Sequence, residues 1–181
     1  PAMLRTNSFD TICHEHLDFY GLRQIKWILD AADLKIIDVE FNDINGGSFS
    51  VTAALNESKR PQNNLLIEKI LKEEMAQQLN SSAPFEAFQE RISKERDAFM
   101  SFLIDCKRNK KTVFGLGAST KGNVLLQYYG ITADLIKKIG EVNSDKFGAY
   151  TPGSLIPLVS EDELLLLNPD YLVVLPWHFR D

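Results

Sequence analysis

The chain has few cysteines, no long apolar run and no excess of positive charge. Its two cysteines, Cys13 and Cys106, lie far apart and outside any Cys-x-x-Cys pattern, which excludes a zinc knuckle or a disulfide framework and favours a reducing, cytoplasmic compartment. The longest apolar runs, such as 164–167 and 171–175, are far shorter than the roughly 20 residues of a membrane span. With 20 Lys and Arg against 25 Asp and Glu, the net charge of -5 opposes sequence-independent binding to nucleic acid.

The remaining composition is that of a folded globular protein. Of the 181 residues, 44% are hydrophobic and 25% are charged, which is near the average of soluble domains. This length predicts one large domain or two small ones. Because the chain starts at Pro1 and no charged-then-apolar leader opens it, we expect a fragment of a longer protein without a signal peptide.

Residues 1–60 are predicted to be the end of a sheet, because they form too few layers to close a core of their own. Hydrophobic periodicity and turn residues predict a strand, a helix and two further strands there, over residues 9–12, 22–32, 34–41 and 49–53. Residues 61–110 are rich in Glu, Lys, Gln and Leu and are interrupted at Pro84. This composition predicts a helical connector of two helices.

Residues 111–181 alternate predicted strands and helices. The elements are expected near residues 112–115, 123–129, 136–141, 162–167 and 171–175. This alternation is typical of β-α-β units, so we predict an α/β fold with a parallel sheet that binds ligands at the carboxyl ends of its strands.

The densest cluster of groups able to exchange protons is His14, Glu15 and His16, which we call the His-Glu-His segment. Imidazole titrates near neutrality, and a neighbouring carboxylate can orient it, so the segment predicts a base that removes a proton from a substrate. Two other interpretations stay open. The two histidines can bind a metal with His178 as a third ligand, or they can simply form hydrogen bonds at a strand end.

The glycine loop, Gly115–Asn123, leads from a predicted buried strand into a helix, where backbone N–H groups can bind a phosphate or pyrophosphate. Three side chains there add donors: Ser119, Thr120 and Lys121. The loop departs from the dinucleotide fingerprint, because Thr120 stands at the sixth position, and from a Walker A loop, because Gly122 follows Lys121. Glu141, near the end of the next strand, is a candidate for a ribose hydroxyl. A strand–helix turn without a ligand is the alternative.

Three shorter segments are also candidates for ligand contacts. The turn formed by Asn45, Gly46, Gly47 and Ser48 would let a ligand approach its backbone, although a plain hairpin explains it equally well. Residues 150–153 predict a loop near the carboxyl end of the sheet. After the last strand, His178 and Arg180 are candidate contacts to a phosphorylated ligand.

The whole chain resembles the S-adenosylmethionine-dependent sugar C-methyltransferases of deoxysugar biosynthesis. The resemblance is carried by five segments in the same order, at residues 9–16, 45–48, 115–123, 150–153 and 175–180. It implies that residues 1–60 are the C-terminal part of a methyltransferase domain. Residues 111–181 would then be a Rossmann-like domain that binds a nucleotide-sugar.

The family's reaction is methyl transfer to a carbon, commonly C3, of a nucleotide-linked 4-keto-deoxysugar. The keto group acidifies the adjacent C–H, a base removes that proton, and the enolate carbon attacks the sulfonium methyl. By resemblance, His16 is the base and Glu15 its acidic neighbour, with His14 as a third candidate. Relatives have tyrosine where Cys13 stands, so no role of a phenol carries over.

The resemblance also implies where the nucleotide-sugar binds. The candidates are Ser119, Thr120, Lys121 and Asn123, then Glu141 and His178, and the turn at residues 45–48. No metal ligand is implied within these residues.

Relatives begin with a cysteine-rich zinc module and a glycine-rich donor site, and neither pattern occurs in this chain. We therefore expect S-adenosylmethionine and zinc to be bound elsewhere in the parent protein, and this chain alone to transfer no methyl group. A module that binds a nucleotide or NAD without methyl transfer is the alternative. Both a monomer and a homodimer are compatible with the sequence.

Overall fold

A computed structural model describes residues 1–177, apart from the side chain of Asn45. The chain forms two compact units. Unit 1 consists of Pro1–Ser8 and His16–Glu90, and unit 2 consists of Phe9–Glu15 and the residues from Arg91 onward. The division at 90/91 falls inside a helix and differs from the predicted boundaries at 60/61 and 110/111.

Unit 1 contains helices α1 (Ala2–Thr6), α2 (Leu22–Ala31) and α3 (Asn64–Ala76) and strands β1 (Leu34–Asn42) and β2 (Ser48–Leu55). Strands β1 and β2 pair antiparallel in a two-stranded sheet, with a register shift between Ile36 and Asp38. Helices α2 and α3 contact β1 and each other. Five buried side chains make the core of this unit: Leu22, Ile36, Val39, Ile67 and Ile70. The helix and the two strands predicted between residues 22 and 53 are confirmed.

A buried carboxylate joins the two helices of unit 1. Glu74 of α3 is buried, and its Oε1 and Oε2 accept hydrogen bonds from the N–H groups of Leu22 (2.6 Å) and Arg23 (3.0 Å). These N–H groups belong to the first turn of α2, where they have no partner within the helix. Gly21 makes this contact possible, because a Cβ there would lie 2.8 Å from Oε1 of Glu74.

Helix α4, Ala83–Arg108, continues from unit 1 into unit 2. Pro84 lies in its first turn, where a proline costs no intrahelical hydrogen bond. The predicted break between two helices at this proline is confirmed.

Unit 2 contains a four-stranded parallel sheet. Its strands are β3 (Val113–Leu116), β4 (Ile139–Glu141), β5 (Leu158–Ser160) and β6 (Tyr171–Val174). Its helices are α5 (Thr120–Tyr129) and α6 (Glu161–Leu166). The strand order is β5-β4-β3-β6, and every pair is parallel. The order reverses beside β3, so the topological switch point lies between β3 and β6, where open α/β sheets bind their ligands. The predicted Rossmann-like α/β fold is confirmed.

One prediction about local structure is wrong, and one strand was missed. Residues Phe9–Thr11 form a 3-10 turn instead of a strand, with the N–H of Ile12 donating to the carbonyl of Phe9 over 2.9 Å. All three residues of the turn are buried without pairing to a strand. Strand β5 was not predicted, because its three residues are too few to show a period. Within residues 1–177, no helix has both the length and the apolar surface needed to cross a bilayer.

Candidate functional site

The glycine loop packs against the chain that leaves β6, at the switch point of the sheet. Gly117 has φ +82°, and a Cβ there would lie 2.6 Å from Cγ and Cδ of Pro176. At Gly122, a Cβ would lie 2.8 Å from the Cβ of Leu175. Both glycines are therefore required by packing within the protein, and Pro176 fills the space beside Gly117.

The first glycine of the loop is explained in the same way. At Gly115, in β3, a Cβ would lie 2.7 Å from Cγ1 of Ile139 on the neighbouring strand β4. The predicted role of these glycines was to let a phosphate approach the backbone. In the structure each of the three glycines lies too close to a neighbouring residue to carry a side chain, and a glycine pattern in the sequence does not distinguish such packing from ligand approach.

Protein groups also accept hydrogen bonds from several N–H groups of the glycine loop. The N–H of Gly117 donates to the carbonyl of Gly140 (2.8 Å), and that of Ala118 donates to Oε2 of Glu141 (3.1 Å). The N–H of Gly122 donates to Oγ of Ser119 (3.0 Å), which is the N-cap of α5. The part of the loop nearest β3 is therefore already occupied by the protein's own acceptors.

Glu141 joins the glycine loop to the residues that follow β4. Glu141 is 6% exposed, and its Oε1 accepts from the N–H groups of Val142 (2.9 Å) and Asn143 (3.1 Å). Oε2 accepts from Ala118 and from Nζ of Lys146 (3.0 Å). Burial alone would raise the pKa of Glu141, but the hydrogen bonds from Asn143, Lys146 and Val142 outweigh it and lower the pKa below its ordinary value.

These contacts give Glu141 a role that its sequence position did not predict. Four protein donors surround the carboxylate expected to bind a ribose hydroxyl. Lys146, which sequence reasoning missed, adds a bond from its Nζ to the carbonyl of Ala118 over 2.9 Å. The pair therefore holds the glycine loop against the end of β4.

The remaining candidates on the glycine loop are placed differently from one another. Thr120 is exposed in the first turn of α5, whereas the side chain of Lys121 is buried. Oδ1 of Asn123 is buried and accepts no hydrogen bond from any described residue. A buried acceptor without a donor is costly, so Asn123 is the loop residue that most needs a further partner.

The turn before the His-Glu-His segment is fixed within unit 2. The ring of Phe9 lies 5.1 Å from the ring of Tyr128 and 5.5 Å from that of Tyr129, both on α5. Oδ2 of Asp10 accepts a hydrogen bond of 2.7 Å from Nε1 of Trp177, the residue after Pro176. Segments 9–15, 115–123 and 175–177, predicted separately, therefore meet in one compact unit.

The His-Glu-His segment itself is exposed. Nε2 of His14 lies 3.9 Å from Oε1 of Glu15, and these side chains are 82% and 62% exposed, so the pair is weak. The His16 ring meets that of Phe19 edge-on, with 6.3 Å between centroids. Glu15 belongs to unit 2 and His16 to unit 1, so the division between units passes through the segment.

The turn at residues 45–48 belongs to unit 1. It contains the predicted turn, with a hydrogen bond of 3.1 Å from the N–H of Gly46 to the carbonyl of Asp43. Gly47 has φ +122°, and Oγ of Ser48 donates to the carbonyl of Ile44 (2.9 Å). The side chain of Asn45 lies outside the described part of the structure, as do residues 178–181 and with them His178.

The loop at residues 150–153 closes on helix α5. Oγ1 of Thr151 is buried and accepts from the N–H of Ile156 (2.9 Å). The carbonyl of Pro152 accepts from Nε2 of Gln127 over 3.0 Å. The bond to its Oγ1 accounts for Thr151 as a structural residue, and the bond to the Pro152 carbonyl joins the loop to α5.

The fit of a cofactor to the glycine loop is poor. Pro176 and Leu175 fill the space directly beside Gly117 and Gly122, so no ligand can pack on these two glycines. The exposed Thr120 at the start of α5 lies outside these two contacts. We therefore assign no residue of the loop to NAD or to S-adenosylmethionine. Among residues 1–177, no three His, Cys, Asp or Glu side chains lie together as a metal site would need.

Comparison with known proteins agrees with the resemblance seen in the sequence. Residues 43–181 match the family described as the C-methyltransferase C-terminal domain. Over 180 residues, or 98% of the chain, the sequence is 31% identical to the C-methyltransferase NovU of Streptomyces niveus. The match covers 42% of that relative, so the chain spans about two fifths of its length. The chain belongs to the family of C-methyltransferase C-terminal domains.

Proposed function

We propose that this chain is the part of an S-adenosylmethionine-dependent C-methyltransferase that binds a nucleotide-linked 4-keto-deoxysugar and carries the base for its deprotonation. The observation that carries the proposal is the position of segment 9–15. It is held at the end of β6 and against α5, within the unit whose sheet has its switch point there. A ligand bound at the carboxyl ends of β3 and β6 would lie in the same unit as the start of the His-Glu-His segment.

The chemistry of carbon methylation explains why such a base is needed. A C–H bond next to a ketone must lose its proton before the carbon has an electron pair to donate. A side-chain base within hydrogen-bond reach of that proton can accept it and hold it. S-adenosylmethionine would supply the methyl group in the whole protein, and we assign it, like the zinc of the cysteine-rich module, to the remainder of that protein.

His16 is the proposed base, with Glu15 as its acidic neighbour and His14 as a further candidate. All three side chains are exposed, as a group must be that receives a proton from a bound ligand. A carboxylate near an imidazole stabilises its protonated form after the proton has moved.

The nucleotide part of the ligand is proposed to bind at the start of α5. Thr120 presents its hydroxyl there, and the helix N-terminus favours the negative charge of a diphosphate. Ser119, Lys121 and Asn123 are the other proposed contacts, and a ligand hydroxyl near Asn123 would satisfy its Oδ1. Glu141 would act by holding the loop, while residues 45–48 and His178 remain further candidates.

The substrate is proposed to be a cytoplasmic nucleotide-sugar. The two cysteines, half-buried Cys13 and buried Cys106, are free in the structure, in agreement with a reducing compartment. We therefore propose a cytoplasmic location for the whole protein.

Substitution of the proposed base tests this function. In the whole protein, His16→Asn should abolish exchange with solvent deuterium of the substrate proton next to the ketone, because the variant lacks the proposed base. The exchange is followed by NMR of the nucleotide-sugar, with the thermal melt of the variant as a control for folding. Retained exchange would remove His16 from the role of base.

A further inference from the structure

Asp10 is a buried acidic residue that the proposed chemistry does not use. The residue is 4% exposed, and its Oδ2 accepts the 2.7 Å hydrogen bond from the indole of Trp177. Burying a carboxylate is costly unless it is hydrogen-bonded, and a bond to an ionised acceptor is stronger than a neutral one. The two residues are 167 positions apart in the chain, so this bond joins two distant segments.

The two residues before Trp177 are held by contacts within unit 2. Leu175 is buried, and its N–H donates to the carbonyl of Leu116, at the end of β3, over 3.0 Å. Pro176 lies against Gly117 of the glycine loop, too close to leave room for a Cβ. The indole donor is therefore positioned by the two strands that border the switch point.

The Asp10 side is a compact turn. Phe9 and Thr11 are buried on either side of Asp10, and the Phe9 ring contacts two tyrosines of α5. The N–H of Cys13 donates to the carbonyl of Thr11 over 3.1 Å, which ends the turn. His14, the next residue, is exposed. The buried residues of this turn therefore end shortly before the exposed His-Glu-His segment.

We propose that Asp10 is a positioning residue, whose hydrogen bond to Trp177 sets the point from which the His-Glu-His segment leaves unit 2. This inference rests on the proposed function, since it concerns the placement of the base. Asp10 itself touches no substrate. His14 is four residues further along and can lie no more than about 14 Å from Asp10, so a shift of the turn moves the segment with it.

The test uses three variants and a matched control in the whole protein. Trp177→Phe removes the indole donor and keeps a ring, and Asp10→Ala removes the acceptor. Asp10→Asn keeps an oxygen that accepts the same bond. Trp27→Phe is the control, because Trp27 is a 72% exposed tryptophan of unit 1 outside every motif.

The kinetic readout is the rate of substrate proton exchange at saturating nucleotide-sugar. We expect Trp177→Phe and Asp10→Ala to lower this rate by about 10- to 100-fold, because small misplacements of a base carry costs of that order. The KM for the nucleotide-sugar should change by less than about 3-fold, since the base contributes to the transition state rather than to binding. Asp10→Asn should stay within about 3-fold of the unchanged protein, and Trp27→Phe should equal it.

The second readout is the NMR spectrum of the histidine rings, which needs no activity. The ring signals of His14 and His16, assigned by substituting each in turn, should shift in Trp177→Phe and Asp10→Ala. They should stay in place in Asp10→Asn and Trp27→Phe. If Asp10→Ala does not fold, Trp177→Phe and Asp10→Asn still make the comparison.

The outcomes separate this inference from the proposed function. If His16→Asn abolishes exchange while Trp177→Phe and Asp10→Ala keep the full rate, the positioning role is overturned and the base stands. If the rate falls only in proportion to the fraction of folded protein, and the ring signals do not shift, the positioning role is also overturned. If His16→Asn retains exchange, His16 is not the base, and unshifted ring signals in Trp177→Phe would then reject the positioning role as well.

Discussion

Several motif residues of unit 2 are held by hydrogen bonds between distant segments and by close packing, whereas residues 46–48 of unit 1 lie in a half-buried turn. In unit 2, Glu141 joins the ends of two strands, and Asp10 joins a turn to the end of a third. In unit 1, the turn at 45–48 is closed by local bonds such as that from Ser48 to Ile44. The difference indicates that unit 2 offers the more preorganised binding surface.

The sheet of unit 2 also has more strands and more buried side chains than the sheet of unit 1. Unit 2 has four parallel strands, and buried side chains such as Leu126, Ile139 and Leu164 surround them. Unit 1 has two strands, and β2 contributes no buried residue. Because a two-stranded sheet is marginal by itself, the stability of unit 1 depends on how α2 and α3 are joined.

The largest effect is expected from filling the space between the glycine loop and β6. Gly117→Ala would place a Cβ 2.6 Å from Pro176 on a residue with φ +82°. Backbone strain and overpacking together should lower the free energy of unfolding by about 3 to 5 kcal/mol, measured by urea denaturation.

Gly130→Ala is the matched control for this substitution. Gly130 also has a positive φ, +70°, but a Cβ there would have nothing within 4 Å. We expect a loss of about 1 to 2 kcal/mol, from backbone strain alone. Equal losses at the two glycines would show that packing against Pro176 does not stabilise unit 2.

A smaller effect is expected in unit 1, where Glu74 joins α3 to α2. Glu74→Ala leaves the N–H groups of Leu22 and Arg23 without their carboxylate, which should cost about 2 to 3 kcal/mol. Amide hydrogen exchange should increase in α2, which belongs to unit 1. Glu73→Ala is the control. Glu73 is exposed, and its Oε1 lies 4.0 Å from Nζ of Lys69, an exposed ion pair that contributes little to stability. An equal loss in both variants would contradict this role of Glu74.

Local patterns predicted most of the fold. The helix over residues 22–31, the strands that follow it and the break at Pro84 are confirmed, because periodicity and turn residues act over a few positions. The turn at Phe9–Thr11 escaped prediction because its burial depends on Tyr128 and Tyr129, which are remote in sequence. No local pattern contains that information.

The candidate site was predictable in its segments but not in its contacts. The His-Glu-His segment and the glycine loop were found from residue types alone. The hydrogen bond between Asp10 and Trp177 and that between Lys146 and Glu141 join residues whose proximity only the folded chain creates. One signal was present for Asp10, namely an acidic residue inside the β-prone segment Phe9–Ile12, which if buried requires a donor.

Chemical-shift mapping tests most directly whether unit 2 is the binding unit. A nucleoside diphosphate sugar and, separately, NAD are added to the isotope-labelled chain, and the backbone amide signals are followed. We predict that the nucleotide-sugar shifts the signals of residues 115–123 and of the segment after β6, and that NAD at equal concentration does not. Shifts confined to residues 45–48 and the rest of unit 1, or equal shifts with NAD, would contradict the account.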